Sequence, residues 1–175
     1  MRRRRFPWIL LSLPLLGLLA ACTPPDEPLV GLAVHDGQPV AVLVHCGGIV
    51  AGLSVYQEYP DDGTDHPDFR WRIGGRPTSD VVEVALLGQP PDGWTVDEAT
   101  DYFSGALGRV VDVEPLAEFR PGVTYSVGGL GIISVDFTLE DLPRIGAGQV
   151  LAPSGRESTK VMSRKTFLRK ARDGC

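Results

Sequence analysis

Residues 29–45 read LVGLAVHDGQPVAVLVH. Asp36-Gly37 stands between two valine-rich apolar runs. A two-residue hairpin turn of the type I′ kind needs positive φ at both central positions, which Asp-Gly accepts at little cost. The pair therefore predicts a β-hairpin. Both arms are apolar at successive positions, so neither face of the hairpin is meant for water, and it belongs at the centre of the fold.

Strands can be followed outward from this hairpin. IVAGLSVYQEY (49–59) predicts a third strand. DFRWRI (68–73) predicts a fourth, with Phe69, Trp71 and Ile73 on one face and Arg70 and Arg72 on the other. DVVEVALLG (80–88) and RVVDVEP (109–115) predict two more. Between them, TVDEATDYF (95–103) predicts a short helix: Thr95 and Glu98 have capping-box spacing, and Val96, Ala99 and Phe103 share a face. In FRPGVTYSV (119–127) Pro121-Gly122 is a turn, and Val123, Tyr125 and Val127 alternate inward. In IISVDFTLEDL the same alternation runs through Ile133, Val135, Phe137 and Leu139. Short strands with turns at this spacing predict a mainly β protein, an antiparallel β-sandwich with a short mid-chain helix. FRPGVTY is similar to the entry of a late strand in immunoglobulin-like domains. The resemblance implies a tyrosine hydroxyl bonded back to the backbone at the corner.

The chain ends STKVMSRKTFLRKARDGC (158–175). A strand followed by a basic helix over 163–172 is expected, with Ser163 as its cap and Phe167, Leu168 and Ala171 docking it. Arg169, Lys170 and Arg172 fall near its C-terminus, where the dipole favours cations, and Gly174 ends it.

At the other end, Arg2–Arg5 precede an apolar run from Phe6 to Ala21 that prolines interrupt. A spanning helix needs about 20 apolar residues, so the run reads as a cleaved export signal, residues 1–21. Leu19-Ala20-Ala21-Cys22 resembles a bacterial lipobox. The resemblance implies recognition of Leu19, Ala20 and Ala21 by a signal peptidase and a lipid anchor on the Cys22 sulfur. It places the protein on the extracytoplasmic face of a bacterial cell membrane. Arg3-Arg4-Arg5-Phe6 also fits the R-R-x-F core of a twin-arginine signal, with Arg2 where Ser or Thr is usual; a plain positive n-region is the alternative. TPPDEP (23–28) after Cys22 gives a stiff tether, 22–28, ahead of a single domain, 29–175. The chain as a whole resembles small secreted actinobacterial lipoproteins, which implies no activity.

The sequence holds 17 basic and 22 acidic residues, and losing Arg2–Arg5 moves the net charge from −5 to −9. An acidic body argues against nucleic acid as a partner. The balance is uneven, since residues 156–175 hold seven basic and two acidic residues. That basic tail reads either as a surface for anionic headgroups or as a helix lying on an acidic face of its own domain, the second being the expected one.

Beyond Cys22 only Cys46 and Cys175 remain. In an oxidising compartment they can pair, and a terminal cysteine makes sense if a bridge ties it down. Such a bridge would contribute about 4–5 kcal/mol in the chain-entropy model. The alternative is a buried Cys46, inside an apolar strand, and a frayed Cys175.

Chemistry is hard to find. His35 and His45 stand at opposite ends of a hairpin arm, about 20 Å apart, too far to share an ion. Asp61, Asp62, Asp65 and Asp68 cluster in one loop, but Gly63 breaks the spacing of a calcium loop. GLSVY lacks a nucleophile elbow's second glycine. VGGLGII (127–133) breaks dinucleotide-loop spacing and reads as a bulge or turn. No catalytic residue, metal ligand or cofactor is singled out. The expectation is a binding or scaffolding protein of the cell envelope, facing an envelope protein or a polysaccharide; the alternative is an envelope hydrolase with a carboxylate or histidine site.

Overall fold

The computed structural model describes residues 29–47, 51–60, 66–97, 101–104, 109–129, 134–155 and 158–175. The leader, the lipobox with Cys22, and the tether lie outside these residues. So do Asp61, Asp62, Asp65 and Ile133.

The hairpin forms as the sequence predicts. Strand β1 (Val30–His35) and β2 (Gln38–Val44) pair antiparallel in register from Val30↔Leu43 to His35↔Gln38. Asp36 and Gly37 take φ of 51° and 79°, the left-handed pair that this turn needs. Next come β3 (Ala51–Gln57), β4 (Asp68–Gly75) and β5 (Val81–Ala85). After them come β6 (Trp94–Val96), β7 (Asp101–Ser104), β8 (Arg109–Pro115), β9 (Tyr125–Gly128) and β10 (Val135–Phe137). A short 3-10 helix (Leu139–Arg144) precedes β11 (Gln149–Pro153), β12 (Thr159–Ser163) and the one α-helix among the described residues, α1 (Arg164–Asp173).

Two sheets result. The first has the order β12-β11-β1-β2-β5 and is antiparallel throughout. The second has the order β10-β9-β3-β4-β8-β7, with β6 on the tail of β4. It departs from the all-antiparallel expectation at one place: β4 pairs β8 parallel, Asp68↔Val113 to Arg70↔Pro115. The other half of β4 pairs β6 antiparallel, Gly75↔Trp94.

The helix expected over 95–103 is a correction. Of its described residues, 95–96 and 101–103 lie in the strands β6 and β7, and the Asp97 N–H donates to Arg72 O just past β6. Thr95, Val96, Tyr102 and Phe103 are β-branched or aromatic and suit a pleated surface, and open ladder positions on β4 and β8 were there to take them. Helical spacing of three apolar residues was too weak a signal to compete with that. Helical structure mid-chain sits instead at Leu139–Arg144, where Asp141 Oδ2 accepts from the Thr138 N–H at 3.0 Å.

The core lies between the sheets. Val30, Leu32, Ala41, Leu43 and Val84 of the first face Leu53, Val55, Trp71, Ile73, Val127 and Val135 of the second. Trp71 and Ile73 point inward while Arg70 and Arg72 point outward, as the alternation in DFRWRI requires. At one corner Phe119, Tyr125 and Phe137 pack ring against ring, with Phe119 and Tyr125 centroids 4.8 Å apart. The Tyr125 hydroxyl accepts the Arg120 backbone N–H at 2.8 Å, the corner bond that the resemblance implied.

The outer face of the first sheet is covered by α1. Phe167 and Ala171 are fully buried against Ala33, Val42, Val44, Val150 and Ala152. Phe167 fits because Gly31 lies beneath it: a Cβ there would sit 3.2 Å from the ring. Ser163 caps the helix, accepting the Thr166 N–H at 3.2 Å. The central hairpin is thus apolar on both faces because one face meets the second sheet and the other meets the helix.

Candidate functional site

The sandwich has two distinct ends. At the first, the Val44 N–H donates to Leu29 O at 2.9 Å and the His45 N–H to Asp80 O at 2.8 Å. Leu29, the residue that follows the expected tether, lies there, and that end is called the tether end below. At the far end lie the Asp36-Gly37 turn, Glu58, Asp68 and the Tyr125 corner.

Cys46 and Cys175 meet at the tether end at disulfide distance, with Cα atoms 5.1 Å apart across 129 residues of sequence. One detail differs from expectation. Cys46 is not inside the strand: β2 ends at Val44, and Cys46 is exposed two residues beyond it. An exposed position at a strand end is where a helix terminus can reach a thiol without displacing core side chains. The bridge joins the last residue after α1 to the central hairpin.

Beside the bridge a cleft of about 860 Å³ opens between the sheets. Leu29, Val44 and Ala51 contribute apolar lining, and Val96, 44 % exposed, stands at its mouth. Arg72 and Asp97, which also line it, form an ion pair at 3.1 Å. The lining is mixed, since His45, Ser54 and Thr95 add polar groups to the apolar residues and the ion pair, and it suits a ligand or partner segment with both apolar and polar parts. Nothing in the sequence alone marked this cleft, because its walls come from β2, β3, β4 and β6.

The far end carries the other chemically loaded group. Glu58 has its carboxyl pushed above the usual range, first by burial, then by the neighbouring charges of Asp136 and Asp68; a hydrogen bond from Tyr56 works the other way. Arg70 pairs with Asp68 at 2.9 Å and lies over the Tyr56 ring, 5.1 Å from its centroid. Tyr59 and His66 stack with centroids 4.3 Å apart. Sequence reading missed Glu58 because its neighbours come from β4 and β10. His35 lies 3.7 Å from Glu83, and His45 belongs to the opposite end of the hairpin. The structure therefore keeps the two histidines apart. Among the described residues no group of three His, Cys, Asp or Glu side chains is placed to hold a metal ion.

Among the described residues no helix is long and apolar enough to cross a membrane. No protein-family model matches the chain, and neither a curated protein nor a solved structure matches it.

Proposed function

We propose that this chain is a lipid-anchored extracytoplasmic protein of the bacterial envelope, held by Cys22, with a binding or scaffolding role. One observation carries most of the support: Cys46 and Cys175 at disulfide distance. Such bridges persist in oxidising compartments and are rare in a reducing cytosol, which agrees with the address that the lipobox implies. The binding role is supported by the cleft at the tether end, whose apolar walls and rim ion pair suit recognition of an envelope protein segment or the apolar part of an envelope ligand.

The hydrolase reading retains one specific observation, the raised carboxyl of Glu58 beside Asp136. Two neighbouring carboxyls, one of them with its proton affinity raised, are the raw material for general acid–base chemistry. Neither residue lines the cleft, so binding is favoured.

The test is expression of the full chain and of Cys22→Ser in a bacterium that processes lipoproteins, with a labelled fatty acid. The wild type should carry label and fractionate with membranes. The Cys22→Ser chain should lose the label and either leave the membrane or stay as uncleaved precursor. Processing and retention of the variant like wild type would refute the anchor.

A further inference from the structure

The outer face of the first sheet, with α1 upon it, carries a charge pattern that ion pairing inside the domain leaves incomplete. Three arginines of the helix are paired: Arg164 with Glu83, Arg172 with Asp80 at 2.9 Å, and Arg169 with Asp173 at 3.5 Å. Each takes one acid of this face. Lys160, Lys165 and Lys170 have no ion pair among the described residues. These are all the lysines of the chain. Lys165 stands on the outward side of the helix. Lys160 is on β12 opposite Ala152, whose side chain packs with the helix, so it shares the same face. The expectation that the helix lies on its own acidic face is half of the answer: Arg164 and Arg172 reach acids of the sheet, while Lys160 and Lys165 are exposed and Lys170 is half-exposed.

The same face has an apolar floor. Leu168 is half-buried between Lys165, Arg169 and Arg172 along a shallow groove of about 590 Å³. Cations around an apolar strip are what the boundary between phospholipid headgroups and acyl chains accepts. The position also fits. Leu29, where the tether joins the domain, packs in the cluster beneath α1. The seven residues from Cys22 to Pro28 can reach no more than about 25 Å when fully extended. An anchor this short keeps the helix within reach of whatever surface holds the lipid.

We propose that the α1 face, Lys160, Lys165, Leu168 and Lys170 with the paired arginines around them, docks on anionic phospholipid headgroups and sets the sandwich on its side against the bilayer. This rests on the Cys22 anchor proposed above. In that posture the hairpin's helix-covered face points to the membrane, and the cleft opens along the surface.

The three lysines are native reporters. The protein as processed by a bacterium that makes lipoproteins is purified and reconstituted into vesicles of phosphatidylcholine alone and of phosphatidylcholine with an equal part of phosphatidylglycerol. Each preparation is floated, then labelled with a membrane-impermeant amine acetylating reagent and read lysine by lysine by mass spectrometry. The expected result is flotation with both vesicles, and labelling of Lys160, Lys165 and Lys170 that is several-fold slower on the anionic ones. High salt should restore the rate, because the screening length falls to about 3 Å in molar salt. Flotation with both but equal labelling overturns the docking face and leaves the anchor standing. Flotation with the anionic vesicles alone, with the lysines protected, supports the face and refutes the anchor. Flotation with neither overturns both. Protection by soluble polyphosphate with none on anionic vesicles overturns the bilayer as partner.

Discussion

Gly75 shows how one residue's absence of a side chain sets a joint between elements. It pairs with Trp94, and a Cβ there would lie 2.5 Å from Trp94 Cγ and 2.8 Å from its Cα. The second contact is backbone, so a rotamer change cannot relieve it. Gly75→Ala should cost about 1–3 kcal/mol, the range for overpacking, and lower the melting temperature with the sheet signal unchanged. Equal melting temperatures would show that β6 yields freely. Glu58 gives a prediction of opposite sign. Its folded pKa is raised, so its contribution to stability is full below the unfolded carboxylate range and is lost as pH rises through the folded value. Glu58→Gln removes a partly desolvated charge that faces Asp136 and should therefore stabilise the protein slightly at about pH 7, with the advantage vanishing near pH 3. Thermal melts of both proteins across that range check it. A variant less stable than wild type at neutral pH would mean that the carboxylate's bond with Tyr56 outweighs its burial.

At the scale of elements the C-terminal helix is the informative one. Its sequence predicted the cap at Ser163, the buried Phe167 and Ala171, and the stop at Gly174, and all are found. A ten-residue helix is marginal on its own, so packing and the terminal bridge must hold it. The bridge closes a loop of 129 residues, for which loss of unfolded-state entropy stabilises by about 4–5 kcal/mol. Cys175→Ser should melt lower by an amount of that order, and protease should cut within 160–175, the end of β12 included, before any other strand. A variant that resists protease like wild type would show that Phe167 and the Arg172–Asp80 pair hold the helix unaided. The misread element, 95–103, teaches the converse. Three apolar residues at helical spacing are few, and pairing partners on β4 and β8 decided its state.

At the scale of the molecule, two sheets share one core, and a helix closes the outer face of the first. Far-UV circular dichroism of the protein should be dominated by sheet, with a minor helical part from α1 and the 3-10 turn. A helix-dominated spectrum would contradict the sandwich. The two chemically loaded regions lie at opposite ends, the cleft and bridge beside Leu29 and Glu58 beside the Tyr125 corner.

By itself the sequence determined the local elements: the hairpin at Asp36-Gly37, the inward alternation of Phe69, Trp71 and Ile73, the Tyr125 corner, and the capped basic helix. These rest on periodicity and on special backbone conformations, which a few neighbouring residues specify. With three cysteines in the chain, it left at most one pair, and the structure brings Cys46 and Cys175 together. Only the tertiary structure decided the parallel β4–β8 pairing, the strand state of 94–96 and 101–104, the cleft, the neighbours of Glu58, and which cations look outward. Each of those depends on residues far apart in sequence. Ladder partners and burial are chosen when sheets pack, and no local pattern encodes that choice.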